Sequence, residues 1–197
     1  PLYCYTFVHS QWACAEPSNA TTKKDSVEQK PATVTQALTE KQKADFFYKA
    51  FRELHLTGIQ PLPGAENLLQ FLREEGIYSG IISNKNGTFL RKEIKKLDWN
   101  KYFDNVLGAS DLDVDKPSKE IIDALLTQTE ILPSKSVWFI GDAIVDLKCA
   151  YMANCTPILV ETGLITKEEV NQWPPYKIFP SCVEVRCYLA RLKTISK

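Results

Sequence analysis

Hydrophobic residues beyond position 60 follow two alternating patterns, short apolar runs and longer stretches with an apolar side chain every three or four residues. The runs 77–82, 136–140 and 156–160 are typical of buried strands. The stretch 87–97 has the spacing of an amphipathic helix. Strands that alternate with helices in this way predict an α/β fold, a Rossmann-like three-layer core in which helices cover both faces of a parallel sheet.

Turn residues divide this region into its elements. Pro63 and Gly64 predict the start of a helix, and Gly76 predicts its end. The same reasoning predicts helices at 63–76, 87–97, 118–129, 145–153 and 182–192, and strands at 77–82, 106–108, 136–140, 156–160 and 178–179. Parallel sheets of this kind bind ligands at the carboxyl ends of their strands, so we expect a site there.

The first 60 residues differ in composition from the rest. Residues 2–8 are rich in Tyr, Thr and Phe and predict one further buried strand. Residues 15–36 are polar and predict a loop or linker, whereas 39–56 predicts an amphipathic helix with Thr39 as its cap. The predicted division is a core of 1–12 and 61–197 and a small unit of 13–60.

Charge and hydropathy exclude several classes of function. The chain has 24 basic and 24 acidic residues and no long block of one sign, so we expect neither nucleic acid nor an anionic membrane surface as a partner. Its apolar runs are far shorter than the roughly 20 residues that span a bilayer, so we expect a soluble protein without a membrane span. The six cysteines lack C-x-x-C spacing, which favours buried free thiols in a reducing compartment over disulfides or a zinc site.

Polar residues lie at two predicted boundaries between elements. Ser83 and Asn84 come where the chain leaves the strand 77–82, which places a hydroxyl and an amide at its carboxyl end. Lys116 comes just before a predicted helix and could direct a positive charge at a phosphate group. Each also has a purely structural interpretation, an ordinary loop for the first segment and a solvated side chain for the lysine.

A pair of carboxylates provides the strongest indication of chemistry. Asp142 ends the buried strand 136–140, and Asp146 follows four residues later, where a starting helix can bring the two side chains together. Such a pair needs a counterion, either a divalent metal ion or a lysine. The alternative is that Asp142 only caps the following helix.

In their order and spacing these segments resemble the second, third and fourth motifs of the haloacid dehalogenase (HAD) superfamily of phosphatases, in its phosphoglycolate-phosphatase-like branch. The resemblance implies that Ser83 and Asn84 bind the phosphoryl group and that Lys116 neutralises it. It also implies that Asp142 ligates magnesium, while Asp146 supports the lysine and the waters of the metal. These roles suit phosphoryl transfer, which depends mainly on positioning and charge stabilisation.

The first motif of the family is missing from its expected place. That motif supplies an aspartate nucleophile and, two residues later, an acid–base aspartate at the end of the first strand. In this chain the first acidic residue is Glu16. If the family pattern Asp-x-Asp-Gly-Thr-Leu is laid on 3–8, the two aspartates fall on Tyr3 and Tyr5. A tyrosine, with a pKa near 10, is neutral at pH 7 and provides neither an anionic nucleophile nor a metal charge.

Our main expectation from the sequence is a catalytically inactive HAD-like protein that acts as a structural or interaction subunit of a larger assembly. In that case Ser83, Lys116, Asp142 and Asp146 are vestigial and no cofactor is bound. The resemblance covers about 61–192 and implies that 13–60 is a shortened helical cap with a polar linker. Protein partners would then contact Tyr3 and Tyr5, the polar stretch 15–36 and the pair Pro174–Pro175.

Two alternatives stay open at this point. One is a Mg²⁺-dependent phosphatase of a small phosphorylated metabolite, whose nucleophilic aspartate lies outside the 197 residues. The other is a module that holds a small phosphorylated ligand without turnover. The cysteines and the lack of a secretory signal predict an intracellular protein, either mitochondrial, because 77–107 resembles bacterial members of the family, or cytoplasmic.

Overall fold

The computed structural model of the chain describes residues 3–7, 39, 42, 46, 49 and 56–195, and for 3–7 it describes the backbone alone. The chain divides into two compact units. One comprises Pro1–Trp12 and Gln60–Lys197, and the other comprises Ala13–Ile59. All strands and helices named below belong to the first unit unless stated otherwise.

Strands and helices alternate along the described part of the chain. The strands are β1 (Tyr3–Phe7), β2 (Ser79–Asn86), β3 (Asn105–Ala109), β4 (Val137–Gly141), β5 (Thr156–Val160) and β6 (Lys177–Phe179). The helices are α1 (Ala65–Glu74), α2 (Gly87–Lys96), α3 (Glu120–Leu126), α4 (Ile144–Met152), α5 (Lys167–Gln172) and α6 (Cys182–Ile195), with a short 3-10 helix at Asn100–Tyr102.

The six strands form one parallel sheet in the order β3-β2-β1-β4-β5-β6. β1 therefore lies at the centre, between β2 and β4. Helices cover the sheet on both faces, as the strand β4 shows. Val137 and Phe139 pack into the apolar cluster that contains α3 and α4, and Trp138 and Ile140 pack into the cluster that contains α1, α2 and α6. The predicted α/β fold with a parallel sheet is confirmed.

β2 is longer than the sequence predicts. The strand continues past residue 82 to Asn86, and its last residues pair with β3, Ser83 opposite Gly108 and Asn86 opposite Ala109. An irregularity in the ladder separates these two pairs. The prediction was wrong at this end because polar side chains interrupt the apolar run, although their backbone still completes the ladder. Ser83 is thus held within a strand and not on a loop.

The sequence analysis missed helix α5. None of its residues is buried, so it carries no apolar periodicity. Its signature is a capping box: Thr166 Oγ1 accepts from the backbone N–H of Glu169 at 3.2 Å, and Glu169 Oε2 accepts from the backbone N–H of Thr166 at 2.8 Å. The Thr-x-x-Glu spacing at 166–169 was therefore the usable sequence signal.

The second unit is described at only a few positions. Gln42, Phe46 and Lys49 are helical and exposed, and the hydroxyl of Thr39 accepts from the backbone N–H of Gln42 at 3.3 Å. These positions agree with the predicted helix and its threonine cap. The apolar positions that predict the helix, Ala44, Phe47, Tyr48, Phe51 and Leu54, and the polar stretch 15–36 lie outside the described residues. In the part of the chain that the structure describes, no helix has the length and apolar character to cross a membrane.

Candidate functional site

Two buried polar residues lie at the carboxyl edge of the sheet, on either side of the central strand. Ser83 is in the last half of β2, and Asp142 directly follows β4. Each is 3% exposed. β1 pairs with both β2 and β4, so Ser83 and Asp142 belong to the two strands on either side of it, beyond the level of its last described residue, Phe7.

A buried ion pair at this edge joins Lys116 and Asp146. Lys116 Nζ lies 2.7 Å from Asp146 Oδ1, and the two side chains are 2% and 1% exposed. Burial raises the pKa of the Asp146 carboxyl above its ordinary value, and the positive charge of Lys116 opposes that rise. The ammonium has three N–H donors, so its bond to Asp146 leaves donor capacity for a ligand oxygen.

Asp146 also fastens the start of helix α4. Its Oδ2 accepts from the backbone N–H groups of Asp142 at 3.2 Å and Ala143 at 3.0 Å. These bonds satisfy donors at a helix N-terminus, where a negative charge is favourable. A Cβ at Gly141 would overlap the side chain of Asp146, so a residue without a side chain is needed here. The carboxylate that supports this helix start is thus Asp146. The alternative prediction, that Asp142 caps the helix, is wrong.

The loop that follows β5 contacts Asp142. Thr162 Oγ1 donates to Asp142 Oδ2 at 3.4 Å. A Cβ at Gly163 would overlap the backbone oxygen of Asp142, which explains a glycine at that position. Sequence reasoning missed both residues. The available signal was a hydroxyl residue and a glycine just beyond a predicted buried strand.

Asn84 contacts the backbone of Lys116. The Lys116 N–H donates to Asn84 Oδ1 at 3.1 Å, and Asn84 Nδ2 donates to the Lys116 carbonyl oxygen at 3.4 Å. Ser83 Oγ accepts from the backbone N–H of Lys85 at 3.1 Å, which orients the hydroxyl. The structure therefore joins the predicted residues Asn84, Lys116 and Asp146 by hydrogen bonds and places Ser83 beside them in sequence on β2.

The placement of Tyr3 and Tyr5 at the catalytic aspartate positions is wrong in its register. Tyr3 pairs with Val137 and Tyr5 with Trp138, so both lie at the amino end of β1, and Phe7 pairs with Ile140 near the carboxyl end. The residues that follow Phe7, at 8–12, lie outside the described residues. The absence of an acidic residue before Glu16 holds whatever the register.

The donors at this edge suit a hard divalent cation only in part. Mg²⁺ prefers oxygen ligands and commonly binds through one or two carboxylates and several waters. Asp142 supplies one carboxylate at the sheet edge, and Asp146 is engaged by Lys116 and by two backbone N–H groups. Among the described residues, no group of three or more His, Cys, Asp or Glu side chains is placed to hold a metal ion. Asp142 therefore fits Mg²⁺ as one oxygen ligand, and waters, phosphate oxygens or a further carboxylate would have to complete the set.

Comparison with known proteins agrees with this geometry. The family model for haloacid dehalogenase-like hydrolases matches residues 14–160, a range that holds all the site residues just described from Ser83 to Asp146 and excludes β1. The phosphoglycolate phosphatases of Salmonella typhimurium and of Escherichia coli K12 are each 26% identical over 135 residues, which is 68% of this chain and 53% of theirs. The chain thus spans about half the length of the curated relatives it matches.

Solved structures with the same architecture include a HAD-superfamily hydrolase from Ehrlichia chaffeensis, at 28% identity and a TM-score of 0.59, with 83% of this chain and 82% of that one covered. A predicted phosphoglycolate phosphatase from Haemophilus somnus aligns with a TM-score of 0.68 at 23% identity, over 75% of this chain and 67% of that one. At that identity the second likeness concerns the fold alone.

Proposed function

The chain belongs to the haloacid dehalogenase-like hydrolase family, and we propose that it provides the phosphate- and magnesium-binding side of a phosphatase site for a small phosphorylated metabolite. The nucleophilic aspartate of that site lies outside the 197 residues. Phosphoglycolate, the compound in the name of the curated relatives, is the first substrate to test.

Each buried polar residue at the sheet edge has a role in this proposal. The Ser83 hydroxyl donates to a phosphoryl oxygen, and the Lys116 ammonium offsets its negative charge. Asp142 is a protein ligand of the metal, and Asp146 holds the lysine and the start of α4 in place. Bound Mg²⁺ would supply further positive charge next to the phosphoryl group.

The observation that carries the proposal is the buried pair Lys116–Asp146 with Ser83 and Asp142 buried at the same edge. Removing charged groups from water is costly, and a buried ion pair is weak evidence for added stability because an apolar pair of similar size serves a core equally well. A lysine in such a place is better accounted for by an anionic ligand. The phosphatases and HAD hydrolases among the relatives support phosphate as that anion.

The proposal requires an aspartate at the level of Ser83 and Asp142. No acidic residue occurs in positions 1–15. We propose that the required carboxylate comes from a segment outside this chain that reaches the centre of the sheet edge. By the family resemblance, its oxygen attacks phosphorus, the ester bond breaks with the alcohol leaving, and water then hydrolyses the aspartyl phosphate.

A second candidate is the catalytically inactive subunit, and one observation favours it. Tyr3–Phe7 already fills the central strand position between β2 and β4, and this segment brings no carboxylate. In this candidate the ion pair of Lys116 and Asp146 is purely structural and the chain acts through protein partners. The two candidates can be distinguished by a covalent intermediate: the phosphatase forms an aspartyl phosphate, and the inactive subunit forms none.

Trapping of that intermediate tests the proposal. The complete protein that contains this chain is mixed with Mg²⁺ and phosphoglycolate or p-nitrophenyl phosphate, quenched, and treated with borohydride, which reduces an aspartyl phosphate to homoserine. We expect homoserine at one aspartate outside residues 1–197, and none in the Asp142→Asn variant. Hydrolysis without any homoserine, or homoserine at an aspartate inside the chain, would overturn the assignment of the nucleophile. No hydrolysis at all would favour the inactive subunit.

A further inference from the structure

We infer that Asn84 is a positioning residue, whose side-chain amide fixes the backbone of Lys116 and so holds the lysine ammonium at the phosphate-binding edge. This inference rests on the proposed function and deepens it. Its basis is the pair of hydrogen bonds between one carboxamide and one residue, Lys116 N–H to Asn84 Oδ1 at 3.1 Å and Asn84 Nδ2 to the Lys116 carbonyl at 3.4 Å. The carboxamide thus accepts one hydrogen bond from the Lys116 backbone and donates one to it, as the backbone of a neighbouring strand would.

Lys116 needs such an anchor because of its place in the chain. It lies on the connection 110–119 between β3 and α3, which contains neither helix nor strand. A lysine ammonium is a compact charge on a flexible four-carbon stem, so its position depends on both ends being held. Asp146 holds the ammonium at 2.7 Å, and Asn84 holds the backbone from the adjacent strand β2.

The two bonds also couple two elements of the site. Asn84 directly follows Ser83, so a displacement of β2 moves the phosphate-binding hydroxyl and the backbone anchor of Lys116 together. A misplacement of about 1 Å in a phosphate-binding group can cost on the order of a hundredfold in rate. Asn84 therefore contributes to phosphate binding through Lys116, whereas the family resemblance alone suggested that its amide contacts the phosphate directly.

Two measurements on the complete protein that contains this chain, as wild type and as variants, test this role. The first is hydrogen exchange at the Lys116 backbone amide without ligand, and the second is the affinity for inorganic phosphate with Mg²⁺ by calorimetry. In Asn84→Ala we expect amide protection and phosphate affinity each to fall roughly tenfold, as loss of about one or two hydrogen bonds implies. Asn84→Asp keeps the oxygen that accepts from Lys116, so we expect it to retain the amide protection.

Asn86→Ala is the matched control. Asn86 lies two residues further along β2, and its Oδ1 accepts from the backbone N–H of Thr88 at 3.0 Å to cap α2. The same truncation there removes a helix cap but no contact with Lys116. We expect wild-type protection of Lys116 and wild-type phosphate affinity in this variant.

Each result bears on one of two claims, the positioning role of Asn84 or the proposed function. Unchanged protection of the Lys116 amide in Asn84→Ala overturns the inference, even if phosphate affinity falls, because a direct contact would then account for the loss. Loss of protection at the Lys116 amide in Asn84→Ala, with unchanged phosphate affinity, overturns the inference as well. A wild-type protein that binds no phosphate contradicts the proposed function, and the amide measurement still decides whether Asn84 holds Lys116.

Discussion

Lys116 Nζ and Asp146 Oδ1 lie 2.7 Å apart, in side chains that are 2% and 1% exposed. Each therefore depends on the other for compensation of a buried charge. Replacing Lys116 by Met keeps most of the aliphatic volume and removes the ammonium, which leaves the Asp146 carboxylate buried without its cation. We expect the free energy of unfolding at pH 8 to fall by about 3–5 kcal/mol, measured by urea denaturation. Lys119→Met, at an exposed lysine three residues away, is the control and should change it by less than about 0.5 kcal/mol.

The same variant has a characteristic pH dependence. Burial raises the pKa of Asp146, and loss of Lys116 raises it further. In the unfolded chain an aspartate has a pKa of about 3.9. Between these two pKa values the folded variant binds more protons than the unfolded chain, so its stability falls as the pH rises through that window and then levels off. We expect the deficit of Lys116→Met relative to wild type to be larger at pH 8 than at pH 5, and an equal deficit would contradict the account.

Gly163 tests the packing of the β5 loop on Asp142. A Cβ at this position would overlap the backbone oxygen of Asp142, and the loop or the aspartate must then move. We expect Gly163→Ala to lower the free energy of unfolding by about 1–3 kcal/mol. The neighbouring Leu164 is 88% exposed, so Leu164→Ala should be close to neutral. If the urea midpoints of both variants equal that of the wild type, the close approach of the loop to Asp142 is wrong.

Asp142 is expected to be the main carboxylate of this chain for Mg²⁺. In the complete protein, Mg²⁺ at about ten times its dissociation constant should raise the free energy of unfolding by about 1.4 kcal/mol. Asp142→Asn should abolish this increase. Asp113→Asn replaces an exposed acid near Lys116 and should preserve it. Equal stabilisation of wild type and Asp142→Asn by Mg²⁺ would exclude Asp142 as a ligand.

The cysteines of the described region should differ sharply in reactivity. Burial raises the pKa of the Cys149 thiol to about 12 and the pKa of the Cys155 and Cys182 thiols to about 11, whereas Cys187 is exposed. At pH 8 a thiol with a pKa of 11 is ionised in about one molecule in a thousand, and the thiolate is the reactive form. Among these four cysteines, iodoacetamide should therefore label Cys187 first in the native protein, and urea should expose the other three. Peptide mapping by mass spectrometry measures the order.

The parts of the site that sequence could predict are those marked by local composition. Apolar runs locate the buried strands, so Asp142 could be placed at the end of β4 without a structure, and Ser83 in the carboxyl half of β2, although that strand continues to Asn86. The paired carboxylates were predictable because Asp142 and Asp146 are four residues apart at a helix start. By contrast, the two bonds of Asn84 to Lys116 cross 32 positions of sequence, and no pattern near either residue marks them.

The register of β1 could not be predicted for a related reason. Tyr3–Phe7 is a short strand whose residues all favour strands, so no alternation of polar and apolar positions fixes which residue reaches the sheet edge. Only its pairing with β4 places Tyr3 and Tyr5 at the wrong end for the catalytic aspartates. The intracellular or mitochondrial location and the protein partners stay predictions, because neither depends on the geometry of the sheet edge.

Hydrolysis of p-nitrophenyl phosphate by the complete protein, with and without Mg²⁺, tests the central claim most directly. We expect turnover that requires Mg²⁺ and that falls by at least about a hundredfold in Asp142→Asn and in Lys116→Met, because each removes charge stabilisation from the transferred phosphoryl group. Circular dichroism of each variant verifies that it is folded, which the comparison of activities requires. Wild-type protein that hydrolyses no phosphate ester under any of these conditions, or turnover that both variants retain, would contradict the claim that these residues form a phosphatase site.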